Sequence, residues 1–192
     1  MLLHYGIVQT KEKFMGDNAF THYDDDVSIS SRPRALNTIL YGGLAVGILD
    51  GLFALIFYGL ILGVQPMRIF QSVASGLLGR ASFEGGVPTF LLGILLHFVV
   101  ASCIAAVYYV ASLKLPVLIR HAVTCGLIYG MIAYLGMNYV VIPLSAASSG
   151  RFSLSTFLPA FIGHAFLVGL PVALLARRSA KRNKRDYRDL AA

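Results

Sequence analysis

The chain contains four long apolar stretches, and each is long enough to cross a lipid bilayer as a helix. The hydrocarbon core of a bilayer is about 30 Å thick, which about 20 residues of α-helix span. The stretches cover residues 37–64, 88–112, 117–143 and 155–176. Of the 192 residues, 57% are hydrophobic and 13% charged, which excludes a disordered chain and argues against a soluble domain. The sequence therefore predicts an all-α integral membrane protein, built as a four-helix bundle.

Three other segments flank or connect the spans. Residues 66–79 begin with Pro66, a residue favoured at the first position of a helix, and end with Gly79, a common stop. Apolar residues recur at 70, 73, 74 and 77, which predicts an amphipathic helix that lies in the membrane interface on the outer side or dips into a vestibule. Residues 1–36 are polar and residues 177–192 are rich in basic side chains. The predicted organisation is a polar arm, a four-span domain over residues 37–176, and a basic tail.

The basic residues predict how the spans are oriented. If the carboxyl end is cytoplasmic, four spans place the amino end there too, and 13 of the 16 Lys and Arg residues lie on that side. This bias is the one that sets topology in bacterial membranes. We therefore expect a multi-pass inner-membrane protein with both termini in the cytoplasm. Six tail residues are expected to meet anionic lipid headgroups, namely Arg177, Arg178, Lys181, Arg182, Lys184 and Arg185.

Part of the sequence is repeated. The second and fourth spans share a Thr-Phe-Leu triplet followed by a histidine, His97 in one and His164 in the other, 67 positions apart. The first and third spans share two pairs of glycines 83 positions apart, Gly43 with Gly47 and Gly126 with Gly130. The two offsets differ by 16 residues, close to the length of segment 66–79, which the second half lacks. A duplicated helical hairpin would explain both offsets, and chance agreement between apolar segments is the alternative.

Three ionisable residues fall inside the predicted spans. Asp50 lies near the middle of the first span, while His97 and His164 lie at similar depths in the second and fourth. Ionisable groups at such depths cost about 2.5–3.5 kcal/mol each, so they invite a functional explanation. Asp50 is close enough in depth to pair with either histidine. The sequence predicts that the three line a polar site inside the bundle, for protons, ions or a small solute.

A face of small residues accompanies Asp50 in the first span. Gly43, Gly47 and Gly51 repeat every four residues, a pattern that lets two membrane helices approach closely. We expect this face to pack against another helix, so that Asp50 points inward. Four helices seldom form a complete transporter, so we also expect a homo-oligomer or a larger membrane complex, with this glycine face as a candidate interface.

Other roles for the polar residues stay open at this stage. His97 and His164 could ligate a haem iron in a redox subunit, or the three groups could simply hold a structural or assembly protein together. Asn138 is expected to form a hydrogen bond between helices as a fourth polar residue of the site. Cys103, His121 and Cys125 lack a fourth ligand, so no metal site is predicted.

The sequence carries no motif of a soluble enzyme, such as a P-loop, H-E-x-x-H or G-x-S-x-G. We therefore expect a protein that is not an enzyme and has no catalytic residue. Membrane lipids are expected partners, and nucleic acid is not, because no aromatic platform or recognised fold accompanies the basic tail.

Several segments resemble one family of proteins. These segments are Gly43 to Gly51, Ala74 to Gly79, Leu96-His97-Phe98 and Met137 to Ser145. In them the chain resembles a group of uncharacterised bacterial four-span inner-membrane proteins and, distantly, the YagU-like proteins. The resemblance covers about residues 38–178. It implies a four-span architecture in the inner membrane and carries over no activity.

Overall fold

The structure, a computed structural model, describes residues 35–148 and 153–190 and contains helices but no strand in those residues. The helices are α1 (Ala35–Ile61), α2 (Pro66–Leu78), α3 (Gly86–Lys114), α4 (Ala122–Leu144) and α5, which begins at Leu154 and ends at Leu190. All except α2 are long and apolar enough to cross a membrane. The predicted all-α four-helix architecture is therefore confirmed. Residues 1–34 of the predicted polar arm lie outside the described residues.

The ends of two spans differ from the prediction. Residues 117–120, taken as the start of the third span, form a separate helical turn, and the backbone bends at His121 before α4 begins. The last helix does not end at residue 176 but continues through the basic segment to Leu190. Arg, Lys and Ala are good helix formers, and no glycine or proline follows Pro171, so nothing in that segment stops the helix.

The two ends of the bundle carry different segments of the chain. At one end, called here the tail side, the start of α1 meets α5 through a hydrogen bond from Thr38 Oγ1 to Ser179 Oγ, at 2.9 Å. The opposite end, called the outer side, carries α2 and the turns on either side of it. Gly63 and Gly79 have positive φ angles of 69° and 58°, a backbone conformation that glycine adopts at little cost. These two glycines let the chain reverse direction before and after α2.

Helix α2 is packed into the bundle, and its buried face only partly matches the predicted one, of which Ala74 is 0% exposed. The backbone of its Phe70 lies directly against Gly93 of α3, and its Gly76 carbonyl accepts a hydrogen bond from the Ala146 N–H at 3.0 Å. Leu77, predicted on the apolar face, is 64% exposed, whereas Gln71 is 2% exposed. The Gln71 amide is buried because it donates to the Gly86 carbonyl and the Thr89 hydroxyl, at 3.1 and 3.2 Å. Hydrogen bonding rather than apolar periodicity therefore decides how α2 is rotated.

Glycines also set two close crossings between membrane spans. A Cβ atom on Gly43 would lie 2.7 Å from Ser102 Cα, and one on Gly126 would lie 2.9 Å from the Gly169 carbonyl oxygen. In the same way Gly47 contacts Phe98 and Gly130 contacts Ala165. The contacting residues of the α1–α3 crossing thus correspond to those of the α4–α5 crossing. Those of α1 and α4 are 83 positions apart and those of α3 and α5 are 67 apart, the same offsets as in the sequence repeat. This agreement supports a duplicated helical hairpin.

The glycine face of α1 is used inside the chain. Gly43, Gly47 and Gly51 are buried, and all three lie against α3. The expectation that this face forms an interface with a second copy is therefore wrong, because α3 already occupies it.

The tail-side half of the bundle is closely packed. Its core consists of small and branched residues around Tyr108, which is 1% exposed. Two tyrosines close it with hydrogen bonds between segments, from Tyr108 to the Leu118 carbonyl at 3.0 Å and from Tyr129 to the Ile104 carbonyl at 2.7 Å. The cavities described next lie toward the outer side of this core.

Candidate functional site

Asp50 is placed opposite His164 by two helix crossings. The glycines of α1 hold it against α3, and Gly130 of α4 lies against the backbone at His164 and Ala165 of α5. The Asp50 Oδ1 atom then lies 3.7 Å from His164 Nε2, and each side chain is 20% exposed. This is an ion-pair distance, slightly too long for a hydrogen bond.

The second ring nitrogen of His164 fixes the chemistry of this pair. His164 Nδ1 lies 2.9 Å from the carbonyl oxygen of Ala160, one turn earlier on α5. A carbonyl oxygen only accepts hydrogen bonds, so Nδ1 carries a proton, and Nε2 of the neutral ring is an acceptor. An ionised Asp50 beside a neutral His164 would leave two acceptors facing each other. One added proton, on either residue, turns this arrangement into an attraction.

His97 of α3 forms a hydrogen bond with the backbone of α1 and not with the Asp50 side chain. Its Nε2 donates to the Gly47 carbonyl at 2.9 Å, and the ring packs against Gly51. The rings of Phe70 and Phe98 both lie nearly perpendicular to the imidazole ring, with centroids 6.0 and 5.7 Å away. A haem iron between His97 and His164, which the sequence left open, would require both Nε2 atoms to leave these partners.

The three ionisable residues line one cavity. This central cavity has a volume of about 420 Å³, and its other walls are mainly apolar side chains of α1, α3, α4 and α5. Ser72 and Gly76 of α2 form part of the same lining. The structure therefore brings Asp50, His97 and His164 to a common space, in which Asp50 pairs with His164 and His97 bonds to α1.

Two further cavities adjoin the central one. The side cavity, about 460 Å³, is lined by Asp50 and His97 together with Tyr58, Arg68 and aromatic rings. The outer vestibule, about 880 Å³, is lined by Arg68, Arg80, Glu84 and several hydroxyl groups. Ser72 lines all three cavities, which therefore adjoin at this residue of α2. Asp50 lines the central and side cavities but not the outer vestibule.

Asn138 does not join the acid and histidine pair. Its Nδ2 atom donates to the Tyr134 carbonyl of its own helix at 2.9 Å, and the residue lines the outer vestibule. The predicted hydrogen bond between helices is not formed, because the Asn138 amide donates to a carbonyl of its own helix, one turn earlier on α4.

The basic residues of the tail lie on the extended end of α5. Arg178, Lys181, Arg182 and Arg185 are exposed, and Arg177 is half-buried. A helix that leaves the span carrying exposed guanidinium and ammonium groups presents them at the level where lipid headgroups lie. For Lys184 the structure describes the helical backbone only.

Three features of the site escaped the sequence reasoning. Arg68 is not among the predicted site residues, although it lines the side cavity with Asp50. The Tyr134 ring packs against His164, with centroids 4.9 Å apart. A π-helical segment, Ala165–Gly169, begins directly after His164, and such segments are frequent at functional sites. Nothing in the local sequence distinguishes these residues, since each depends on contacts with another helix.

No protein-family model, curated protein or solved structure matches this chain. The four helices that are long and apolar enough to cross a membrane define the class of this protein, a multi-pass α-helical membrane protein. The resemblance to the YagU-like proteins stays a prediction.

Proposed function

We propose that this chain is a non-enzymatic protein of the bacterial inner membrane whose Asp50–His164 pair binds and releases a proton. The observation that carries the proposal is the bond from His164 Nδ1 to the Ala160 carbonyl, which leaves Nε2 as an acceptor toward Asp50. An added proton would bridge two groups that otherwise repel. Because the pair lies between apolar helices, little bulk water is available to stabilise the ionised carboxylate instead.

The surroundings of the pair suit a site that exchanges protons. Tyr134 of α4 packs on the His164 ring, His97 of α3 lines the central cavity, and Arg68 of α2 shares the side cavity with Asp50. Tyr58, two turns from Asp50 on α1, is the remaining titratable group of that cavity. Each helix packed around the carboxylate thus contributes one polar group toward it.

The proposal includes a side of access. The cavities meet around α2 at the outer side, whereas the tail-side half is closely packed. With both termini in the cytoplasm, as the basic residues favour, the site would exchange protons with the periplasm. A proton or solute path to the cytoplasm would require this core to open, or a second copy or another membrane protein to complete it.

Coupled titration of the two residues tests the proposal. In lipid nanodiscs, infrared difference spectra between acidic and alkaline buffer should contain a protonated-carboxyl band that disappears in Asp50→Asn. In His164→Gln this band should titrate at a different pH, because two interacting groups share their protons. Glu84→Gln and His121→Gln, which alter groups outside the pair, should leave the Asp50 band in place. If the pH dependence of the Asp50 band were the same in His164→Gln, the proposal would be contradicted and a purely structural pair favoured.

Labelling of single cysteines tests the side of access. In a chain with Cys103 and Cys125 replaced by serine, Ser72→Cys should react with a membrane-impermeant maleimide added to spheroplasts. Ala173→Cys, at a position that is 0% exposed in the tail-side core, is the matched control and should remain unlabelled. Labelling of Ser72→Cys in inverted vesicles but not in spheroplasts would show that the proposed orientation is reversed.

A further inference from the structure

The side cavity combines one negative and one positive side chain that do not neutralise each other. Asp50 and Arg68 both line it, yet among the described residues the ion pair of Asp50 is with His164, and Arg68 forms none. Two opposite charges facing the same partly enclosed space, without a mutual contact, are complementary to a molecule that carries both charges itself.

Arg68 is positioned for a ligand by its place in α2. It is the third residue of the helix, after Pro66, and its Cζ atom lies 5.9 Å from the centroid of the Phe83 ring. The ring holds the guanidinium group at this position, and among the described residues its N–H groups form no ion pair, so they can bind an anionic partner. A planar fork of N–H donors fits a carboxylate through two parallel hydrogen bonds.

Asp50 presents a carboxylate at the deep end of the same space. Its Oδ1 atom faces His164, while the residue also lines the side cavity, together with His97 and Tyr58. A primary ammonium group has three donors and would find acceptors there in the carboxylate and the tyrosine hydroxyl.

The remaining walls of the side cavity are apolar. They include Val64, Ile69, Val73 and the rings of Phe70 and Phe83. The volume of about 460 Å³ lies within the ~300–1,000 Å³ typical of small-molecule sites. A hydrated inorganic ion would gain little from such walls, whereas an apolar group attached to a charged molecule would be desolvated by them.

We propose that the side cavity binds a small zwitterion with an apolar body, of the class of the aliphatic and aromatic α-amino acids. The ammonium group binds at Asp50, the carboxylate binds Arg68, and the apolar part lies against the phenylalanine rings. This inference rests on the proposed function in one respect only, since both use the Asp50 carboxylate.

Binding of matched ligands tests the two charge contacts separately. The full chain in nanodiscs is titrated calorimetrically at neutral pH with leucine, phenylalanine, phenylalanine methyl ester and N-acetylphenylalanine. The ester lacks the carboxylate charge and the acetyl derivative lacks the ammonium charge. We expect leucine or phenylalanine to bind at least about tenfold more tightly than either derivative, as expected for hydrogen bonds between charged groups. Absence of saturable binding by both amino acids, or equal binding of the ester, would overturn the proposal.

Variants assign the contacts to residues. Arg68→Gln should reduce the affinity for the zwitterion about tenfold or more and leave that for the ester unchanged, while Arg68→Lys should restore part of the loss. Arg80→Gln is the matched control, because Arg80 lines the outer vestibule and not the side cavity. Equal effects of the Arg68 and Arg80 changes would indicate general attraction by positive charge and would overturn the assignment.

The headgroup of phosphatidylethanolamine carries the same pair of charges, so the lipid composition is varied. Amino-acid binding that is as tight in phosphatidylethanolamine discs as in phosphatidylglycerol discs supports a soluble ligand. Binding lost only in the phosphatidylethanolamine discs would assign the cavity to that lipid instead and overturn the proposal. If the infrared titration couples Asp50 to His164 but no amino acid binds, this inference fails alone. If amino acids bind but the titration shows no coupling, only the proton-binding function fails.

Discussion

The α4–α5 crossing allows the sharpest stability prediction for this fold. In Gly130→Ala, the new Cβ would lie 2.8 Å from Ala165 Cα and would also meet the His164 carbonyl oxygen. Carbon atoms normally pack at about 3.5–4.0 Å, so the two helices would have to separate by roughly 0.7 Å or more. Both partners in this clash are backbone atoms, which cannot rotate away.

The expected cost follows from this overlap. Overpacking of this kind costs about 1–3 kcal/mol, while a Gly to Ala change in a helix otherwise gains about 0.5–1 kcal/mol. A Cβ added to Gly136, on the same helix, would meet no neighbouring side chain or helix within 4 Å, so Gly136→Ala provides a matched control. Both variants share this gain, so we expect Gly130→Ala to be less stable than Gly136→Ala by the overpacking cost alone, about 1–3 kcal/mol.

Steric trapping in dodecyl maltoside micelles measures this difference as a free energy of unfolding. The chain contains no tryptophan, so a method that does not depend on intrinsic tryptophan fluorescence is needed. If Gly130→Ala proved as stable as Gly136→Ala, the close approach of α4 and α5 would be refuted. The placement of His164 opposite Asp50 would then lose its structural basis.

Three further predictions concern hydrogen bonds and charges elsewhere in the chain. Tyr129→Phe removes a hydrogen bond to α3 and should cost about 0.5–1.5 kcal/mol of unfolding free energy in the same assay. Gln71→Leu removes the amide donor of the Gly86 carbonyl and the Thr89 hydroxyl, which still bond to each other at 3.1 Å, and should cost about 0.5–1.5 kcal/mol. Replacing three exposed basic residues by glutamine should increase the fraction of inverted molecules, measured with reporter fusions at the carboxyl end. These three are Arg178, Lys181 and Arg182.

Controls for these changes come from the same chain. Tyr41 is 66% exposed, so Tyr41→Phe should leave stability unchanged, and an equal loss in both tyrosine variants would argue against the Tyr129 bond. Gln65 is exposed at the start of α2, and Gln65→Leu should be neutral where Gln71→Leu is not. An unchanged topology after loss of the three tail charges would mean that other basic residues set the orientation.

Much of the architecture follows from the sequence for a simple physical reason. A segment that crosses a bilayer must be apolar over about 20 residues and must satisfy its backbone hydrogen bonds internally, which makes it a helix. The four spans are therefore readable without any knowledge of their neighbours. The same reasoning singles out Asp50, His97 and His164, because their cost depends on depth in the membrane rather than on partners.

The orientation of α2 was not predictable in this way. Its apolar periodicity predicts one buried face, and Ala74 of that face is buried, but Gln71 and Ser75 are buried as well while Leu77 is exposed. The partners of Gln71 lie at the start of α3, and a periodicity argument contains no information about them. A buried amide is stable only where such partners exist, so the rotation of α2 depends on tertiary contacts.

The sequence by itself thus determined that the chain forms four spans and that one carboxylate and two imidazoles lie within them. Only the tertiary structure decided that Asp50 faces His164, that His97 bonds to the Gly47 carbonyl instead, and that Arg68 shares a cavity with Asp50. The physical reason is that a span fixes the depth of a side chain but not its direction. Direction is set by how closely and at what rotation the helices pack, and here the glycine crossings between helices distant in sequence set both.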